Sequence, residues 1–125
     1  MAEKAIILCV DDEEPALFLR KAVLQKFGFE VITAASSQQA LDILAQRRVD
    51  LLLSDLLMPG LPGTELARIV KERYPDLPVV VVSGVNEMPS EAGSADLFVS
   101  KLEGPIALCS HVRDVLKKNM EHKAV

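Results

Sequence analysis

The sequence predicts an α/β domain: a doubly wound, five-stranded parallel sheet with helices on both faces. Three observations predict it. Apolar runs recur at Ala5 to Val10, Val31 to Ala35, Leu51 to Leu53, Val79 to Val82 and Leu97 to Val99. Several of them lack the polar alternation of a half-exposed strand, as strands buried on both faces do. The segments between them carry helical spacing, and glycine and proline mark the joints. Strands alternating with helices argue for βα units, a parallel sheet and right-handed crossovers.

Each element follows in order. The first run reads as a strand, because it is too short to span a bilayer and lacks the architecture of a signal peptide. Leu17, Leu24 and Phe27 then share one helical stripe, and Gly28 follows where a helix C-terminus favours glycine. After the second strand, Ala40, Leu41 and Leu44 mark the second helix. The third strand leads into Pro59, Gly60, Pro62 and Gly63, a tight loop, and Thr64 reads as the N-cap of the third helix. That helix carries Leu66, Ile69 and Val70 on its apolar stripe and stops at Tyr74-Pro75. From Gly84 to Ala95, Pro89 and Gly93 leave room for about one helical turn. The fourth helix is therefore expected to be short, distorted or mobile. Pro105 suits the first turn of the last helix, whose stripe is Ile106, Cys109, Val112 and Leu116.

Composition narrows the function. A chain of 125 residues is expected to form one domain, residues 1–125, with no output domain in this chain. That length is enough to bury a core without staples. The net charge is −4 and no basic stripe stands out, so neither nucleic acid nor a membrane is an expected partner. Cys9 and Cys109 lie in apolar settings without CxxC spacing or a histidine pair. They read as small buried hydrophobes in a reducing, cytoplasmic compartment.

In an open parallel sheet, ligands bind beyond the carboxyl ends of the strands. The residues that end the apolar runs there are Asp11-Asp12, Ser54-Asp55, Ser83-Gly84 and Ser100-Lys101. Singly, each has a bland account: an aspartate capping the next helix, a turn aspartate, a serine before glycine, a solvated lysine. Together they converge. Three carboxylates about 5 Å apart repel by roughly 3 kcal/mol per pair at an effective dielectric near 20. A hard divalent cation relieves that repulsion, and Mg²⁺ suits one or two carboxylates, waters and phosphate oxygens. Ser83 and Lys101 would face the remaining oxygens of a phosphoryl group. A carboxylate nucleophile, a metal and a cationic partner are the equipment of phosphoryl transfer.

At this point the residues resemble a known family. Val10-Asp11-Asp12-Glu13, Asp55-Leu56-Leu57-Met58-Pro59-Gly60 with Gly63, Val82-Ser83-Gly84, and Lys101 look like the receiver domain of two-component response regulators. The resemblance covers nearly the whole chain. It implies a flavodoxin-like strand order, 2-1-3-4-5, and a phosphorylation-dependent switch rather than an enzyme acting on other substrates. It implies phosphorylation of Asp55 by a histidine kinase or phosphotransfer protein. Mg²⁺ would be held by Asp11, Asp12, Asp55 and the backbone carbonyl of Leu57. Ser83 and Lys101 would bind the phosphoryl group, with Ser83 and Phe98 as switch residues. A second copy of the chain is a candidate partner. By the same resemblance, Leu57 and Val85 would stand at the positions that flank the path of attacking water; neither side chain can orient a water, so slow loss of the phosphoryl group is expected.

Two departures from the family pattern stand out. Leu102 replaces the usual proline after the lysine, and the stretch from Ser83 to Lys101 is short by roughly one helical turn. A cis peptide before a residue other than proline costs about 2.5–4 kcal/mol, so Lys101-Leu102 is expected to be trans, with a rearranged loop before Pro105. Two other readings stand beside the switch. A metal-dependent phosphatase of the aspartyl-phosphate type would carry a second acid two residues after the nucleophile, where this chain has Leu57. A nucleotide- or flavin-binding module would be expected to show a glycine-rich phosphate loop, and no G-x-G-x-x-G or P-loop is present.

Overall fold

The computed structural model describes residues 4–84 and 94–123. Five strands run β1 Ile6–Val10, β2 Glu30–Ala34, β3 Leu51–Asp55, β4 Val79–Ser83 and β5 Leu97–Ser100. The helices are α1 Glu14–Lys26, α2 Ser37–Gln46, α3 Gly63–Arg73 and α4 Gly104–Lys123, with a single 3₁₀ turn at Lys101–Glu103. All four strand pairings are parallel and the order is β2-β1-β3-β4-β5, as expected. Most of the segment expected to hold a short fourth helix, 85–93, lies outside the described residues.

The sheet divides the core into two layers by simple alternation. Ile7, Cys9, Leu51, Leu53, Val80 and Val82 face α1 and α4, where Leu17, Leu24, Leu108 and Val112 meet them. Leu8, Val10, Leu52, Val79 and Val81 face α2 and α3, against Ala40, Leu44, Leu66 and Val70. Successive strand side chains point to opposite faces, so a strand covered on both sides must be apolar at every position. Residues 51–53 and 79–82 are, and all of them are 2% exposed or less.

Chain reversals fall where the backbone demands glycine. Gly28, after α1, has φ +94°, the left-handed conformation that a Cβ disfavours. Two local expectations shift. The third helix begins at Gly63 with Pro62 as its N-cap, two residues before the Thr64 cap that was expected, and no side chain caps it. Glu65 and Leu66 both donate their amides to the Pro62 carbonyl, so the loop backbone has already entered the first helical turn. Ile106 is 71% exposed rather than on the buried stripe of the last helix. It sits in the opening turn of α4, and the buried stripe is Leu108, Cys109, Val112 and Leu116.

Candidate functional site

The carboxyl ends of β1 and β3 bring three acids together. One carboxylate oxygen from each of Asp11, Asp12 and Asp55 lies within 4.8 Å of the others, with Asp11 and Asp55 buried and Asp12 exposed. The register explains the meeting. Val10 pairs with Ser54, so the residues that follow them, Asp11 and Asp55, leave the sheet side by side. Asp11 remains tied to the sheet edge by its amide, which donates to the Ala34 carbonyl at 3.2 Å.

Asp55 is 4% exposed. The Lys101 ammonium reaches its Oδ1 at 2.7 Å from across β4, and no other donor among the described residues reaches that buried oxygen. Burial pushes the Asp55 carboxyl above its ordinary pKa; the Lys101 hydrogen bond pulls it down, and the charge of Asp11 adds to the rise. An acid set of this kind, crowded and hard in character, fits a hard divalent cation.

Ser83 ends β4 and is fully buried. Asp55 pairs with Val82, which sets Ser83 one step beyond the acid on the neighbouring strand, opposite Ser100. Lys101 opens the 3₁₀ turn, where the Ser100 hydroxyl accepts from the Leu102 amide at 3.1 Å. No cis peptide occurs among the described residues, so Lys101-Leu102 is trans. The turn closes on Gly104 at φ +86°, and α4 begins there. Phe98 is partly buried against the α2–α3 layer of the core.

The loop after Asp55 is anchored on both sides. Leu56 and Met58 are buried, and Leu57 between them is 55% exposed. The Leu56 amide donates to the Val82 carbonyl at 2.9 Å, and the Gly63 amide donates to the Leu56 carbonyl at 2.8 Å. Gly63 packs so closely that a Cβ there would overlap the Asp55 carbonyl oxygen. Ser37, at the start of α2, ties down the same loop by donating its hydroxyl to the Leu61 carbonyl at 2.9 Å. Val85, the other residue expected to flank the path of water, lies outside the described residues.

One member of the site was missed in the sequence. Arg20 of α1 contacts Asp11 Oδ2 through Nη1 at 3.2 Å, with its side chain 11% exposed. The signal was available: Arg20 stands between Leu17 and Leu24 at i+3 and i+4 spacing, a cation in an apolar stripe. Its neighbour Cys9 is chemically quiet. Burial pushes that thiol up to about 11, against the opposing charge and hydrogen bond of Arg20.

A doubly wound parallel sheet with clustered acids, a serine and a lysine on one rim defines an α/β module whose polar groups gather beyond the carboxyl ends of its strands. The response regulator receiver domain model matches residues 7–113, and the chain belongs to that family. Transcriptional regulatory protein YvrH of Bacillus subtilis is 32% identical over 97% of this chain and 53% of its own length. The phosphate regulon transcriptional regulatory protein PhoB of Pseudomonas aeruginosa is 34% identical over 90% of this chain and 52% of its own. The chain thus spans about half the length of the curated relatives it matches. A CheY-like receiver domain protein from Methanospirillum hungatei superposes with a TM-score of 0.88 at 26% identity, covering 96% of this chain and 99% of that one. The response regulator TrrA of Thermotoga maritima, solved with Mg²⁺ and BeF, gives 0.82 at 29% identity, covering 88% and 97%. The domain is a phosphorylation-dependent switch of two-component signalling, and the phosphatase reading is not favoured.

Proposed function

We propose that Asp55 is the phosphoryl acceptor, that a histidine kinase or phosphotransfer protein is the donor, and that the domain catalyses only its own phosphorylation and dephosphorylation. The observation that carries this reading is the buried Asp55 Oδ1, held by the Lys101 ammonium beside two further carboxylates. An Asp55 oxygen attacks phosphorus, the P–N bond of a phosphohistidine breaks, and the imidazole leaves as the acyl phosphate forms. Lys101 lies where it would pair with a phosphoryl oxygen. Ser83, at the end of the adjacent strand, would donate its hydroxyl to another. Phe98, two residues before Ser100 on the outer strand β5, would pass the change outward. Mg²⁺, held by Asp11, Asp12, Asp55 and the Leu57 backbone carbonyl, would supply neutralisation of the charge on the transferred group.

A protein donor is supported by exposed apolar residues near two of the site residues in the chain. Leu102, which follows Lys101, is 73% exposed, and Leu57, two residues after Asp55, is 55% exposed. Exposed apolar side chains so near the site in the chain suit a donor that docks by burial. No helix among the described residues is long and apolar enough to cross a membrane. With such a donor, and with Cys9 and Cys109 both buried and unpaired, the expected location is the cytoplasm.

The test is incubation with acetyl phosphate and Mg²⁺ followed by intact-mass measurement. A labile gain of about 80 Da, one phosphoryl group, is expected in the parent and absent from Asp55→Ala. A gain that survives the substitution would assign the acceptor elsewhere.

A further inference from the structure

Among the described residues, two cations meet the acidic rim, one on each buried acid. Lys101 pairs with Asp55, and Arg20 pairs with Asp11. Arg20 differs from Lys101 in two ways. Its side chain is 11% exposed, against 42% for Lys101. It also engages a different carboxylate that the proposed metal needs: Asp11 Oδ1 already accepts the Glu13 amide at 3.0 Å, and Oδ2 is the oxygen Arg20 holds. Both oxygens of Asp11 are therefore occupied within the chain.

The guanidinium also has somewhere to go. A cavity of about 210 Å³ lies beside it, lined by Ala16, Leu19, Val82, Pro105 and Lys101 among others. Swinging toward that space would free Oδ2 without unfolding α1.

We propose that Arg20 is a resident counter-cation of the acidic pocket that competes with Mg²⁺ for Asp11, and so sets the metal concentration at which Asp55 becomes competent. The proposal rests on reading Asp11, Asp12 and Asp55 as the metal pocket. In the metal-free molecule, Arg20 and Lys101 match two of the three carboxylates, and the third, Asp12, is solvated. A divalent ion must then displace or share with Arg20 and bear its repulsion. Arg20 is a positioning residue in this account: it acts through Asp11 and touches no reacting atom.

The experiment is titration of the whole chain with MgCl₂ at constant ionic strength, read by calorimetry and by melting temperature. Arg20→Met, which keeps the length and suits the apolar stripe, should bind Mg²⁺ about tenfold more tightly than the parent, the effect of one unit charge on a nearby divalent ion at water-like screening. Arg20→Lys should stay close to the parent, and added KCl should narrow the gap between parent and Arg20→Met. A purely structural arginine would lower the melting temperature of Arg20→Met and leave its Mg²⁺ affinity unchanged, and that result overturns the proposal. Should Arg20→Met fail to fold, the side-chain nitrogen resonances of Arg20 in the parent decide. They should move as Mg²⁺ saturates, and resonances that stay still refute the exchange. A parent that binds no Mg²⁺ by any readout removes the pocket reading itself, a different failure from equal affinities in parent and variant.

Discussion

The two rims of the sheet use the same residue type for opposite ends. At the amino-terminal rim, Asp50 accepts the Ile6 amide at 2.7 Å and pairs with Arg48. Asp96 accepts the Val79 amide at 2.7 Å and pairs with Lys71. Each of these acids stands apart from the other and meets a strand's first N–H, which would otherwise lack a partner. At the carboxyl rim three aspartates are crowded, and among the described residues a buried oxygen of Asp55 meets only the Lys101 ammonium. Separated acids with backbone donors hold strand starts in place; crowded acids gather negative charge on one rim, which suits the proposed metal and phosphoryl chemistry. The physical difference is the mutual repulsion of the carboxylates, which the isolated acids escape and the crowded ones do not.

The largest effect that would break this contrast lies at Gly63. A Cβ there overlaps the Asp55 carbonyl oxygen, which is backbone and cannot swing aside. Gly63→Ala should cost about 2–3 kcal/mol through overpacking, a loss of roughly 10 °C in melting temperature. A fall of less than 2 °C would mean that the loop relaxes freely around the acceptor.

Next come the rims themselves. Asp50→Ala or Asp96→Ala strands a backbone N–H at a strand start and should cost about 1–2 kcal/mol in urea unfolding. Asp12→Ala, at the crowded rim, should leave the metal-free protein no less stable. Mg²⁺ at about ten times its dissociation constant should stabilise the parent by roughly 1.4 kcal/mol, on the order of 4 °C, and should leave Asp12→Ala unmoved. Equal losses at both rims in the absence of metal would erase the distinction drawn here.

The lifetime of the acyl phosphate sharpens the comparison further. Leu57→Asn with Val85→His would supply polar groups at the two positions that the family resemblance sets beside the path of attacking water, and decay in Mg²⁺ should quicken about tenfold, below the range of a fully developed general base. Decay no faster than the parent's, followed after removal of acetyl phosphate, would clear these two side chains of control.

The smallest effect concerns pH. Burial raises the Asp55 pKa in the folded protein. An acid whose folded value is raised binds its proton more tightly when native, so its ionisation opposes folding above that value. The opposition fades as pH falls through the folded value and is gone below the unfolded one. In metal-free buffer Asp55→Asn should therefore melt higher than the parent at neutral pH, with the gap closing as acid is added. The exposed Lys101 left behind is solvated, so it does not reverse the sign. A parent that melts higher at neutral pH would show that the Lys101 pair outweighs burial.

Much of this was legible in the residue order because it is local. Hydrophobic runs such as Val79 to Val82 declare buried strands, and residues that terminate the runs in a parallel sheet all emerge on one rim. Asp11, Asp55, Ser83 and Lys101 therefore came together from strand ends alone. The trans peptide at Leu102 was readable from the chemistry of the bond. Other features depend on how elements pack. Helical periodicity placed Ile106 on the buried stripe of the last helix, but the opening turn of α4 carries it out to solvent. Thr64 had the right chemistry for a cap, yet the loop enters the helix at Gly63, where close approach to Asp55 excludes a side chain.

Arg20 marks the boundary between the two kinds of information. The sequence by itself determined that a cation interrupts an apolar stripe of α1. Only the tertiary structure decided that this stripe lies against β1 with the guanidinium on Asp11. The reason is physical: period and propensity act between neighbours along the chain, whereas the partner of a buried charge depends on which groups the packed sheet and helices bring within reach.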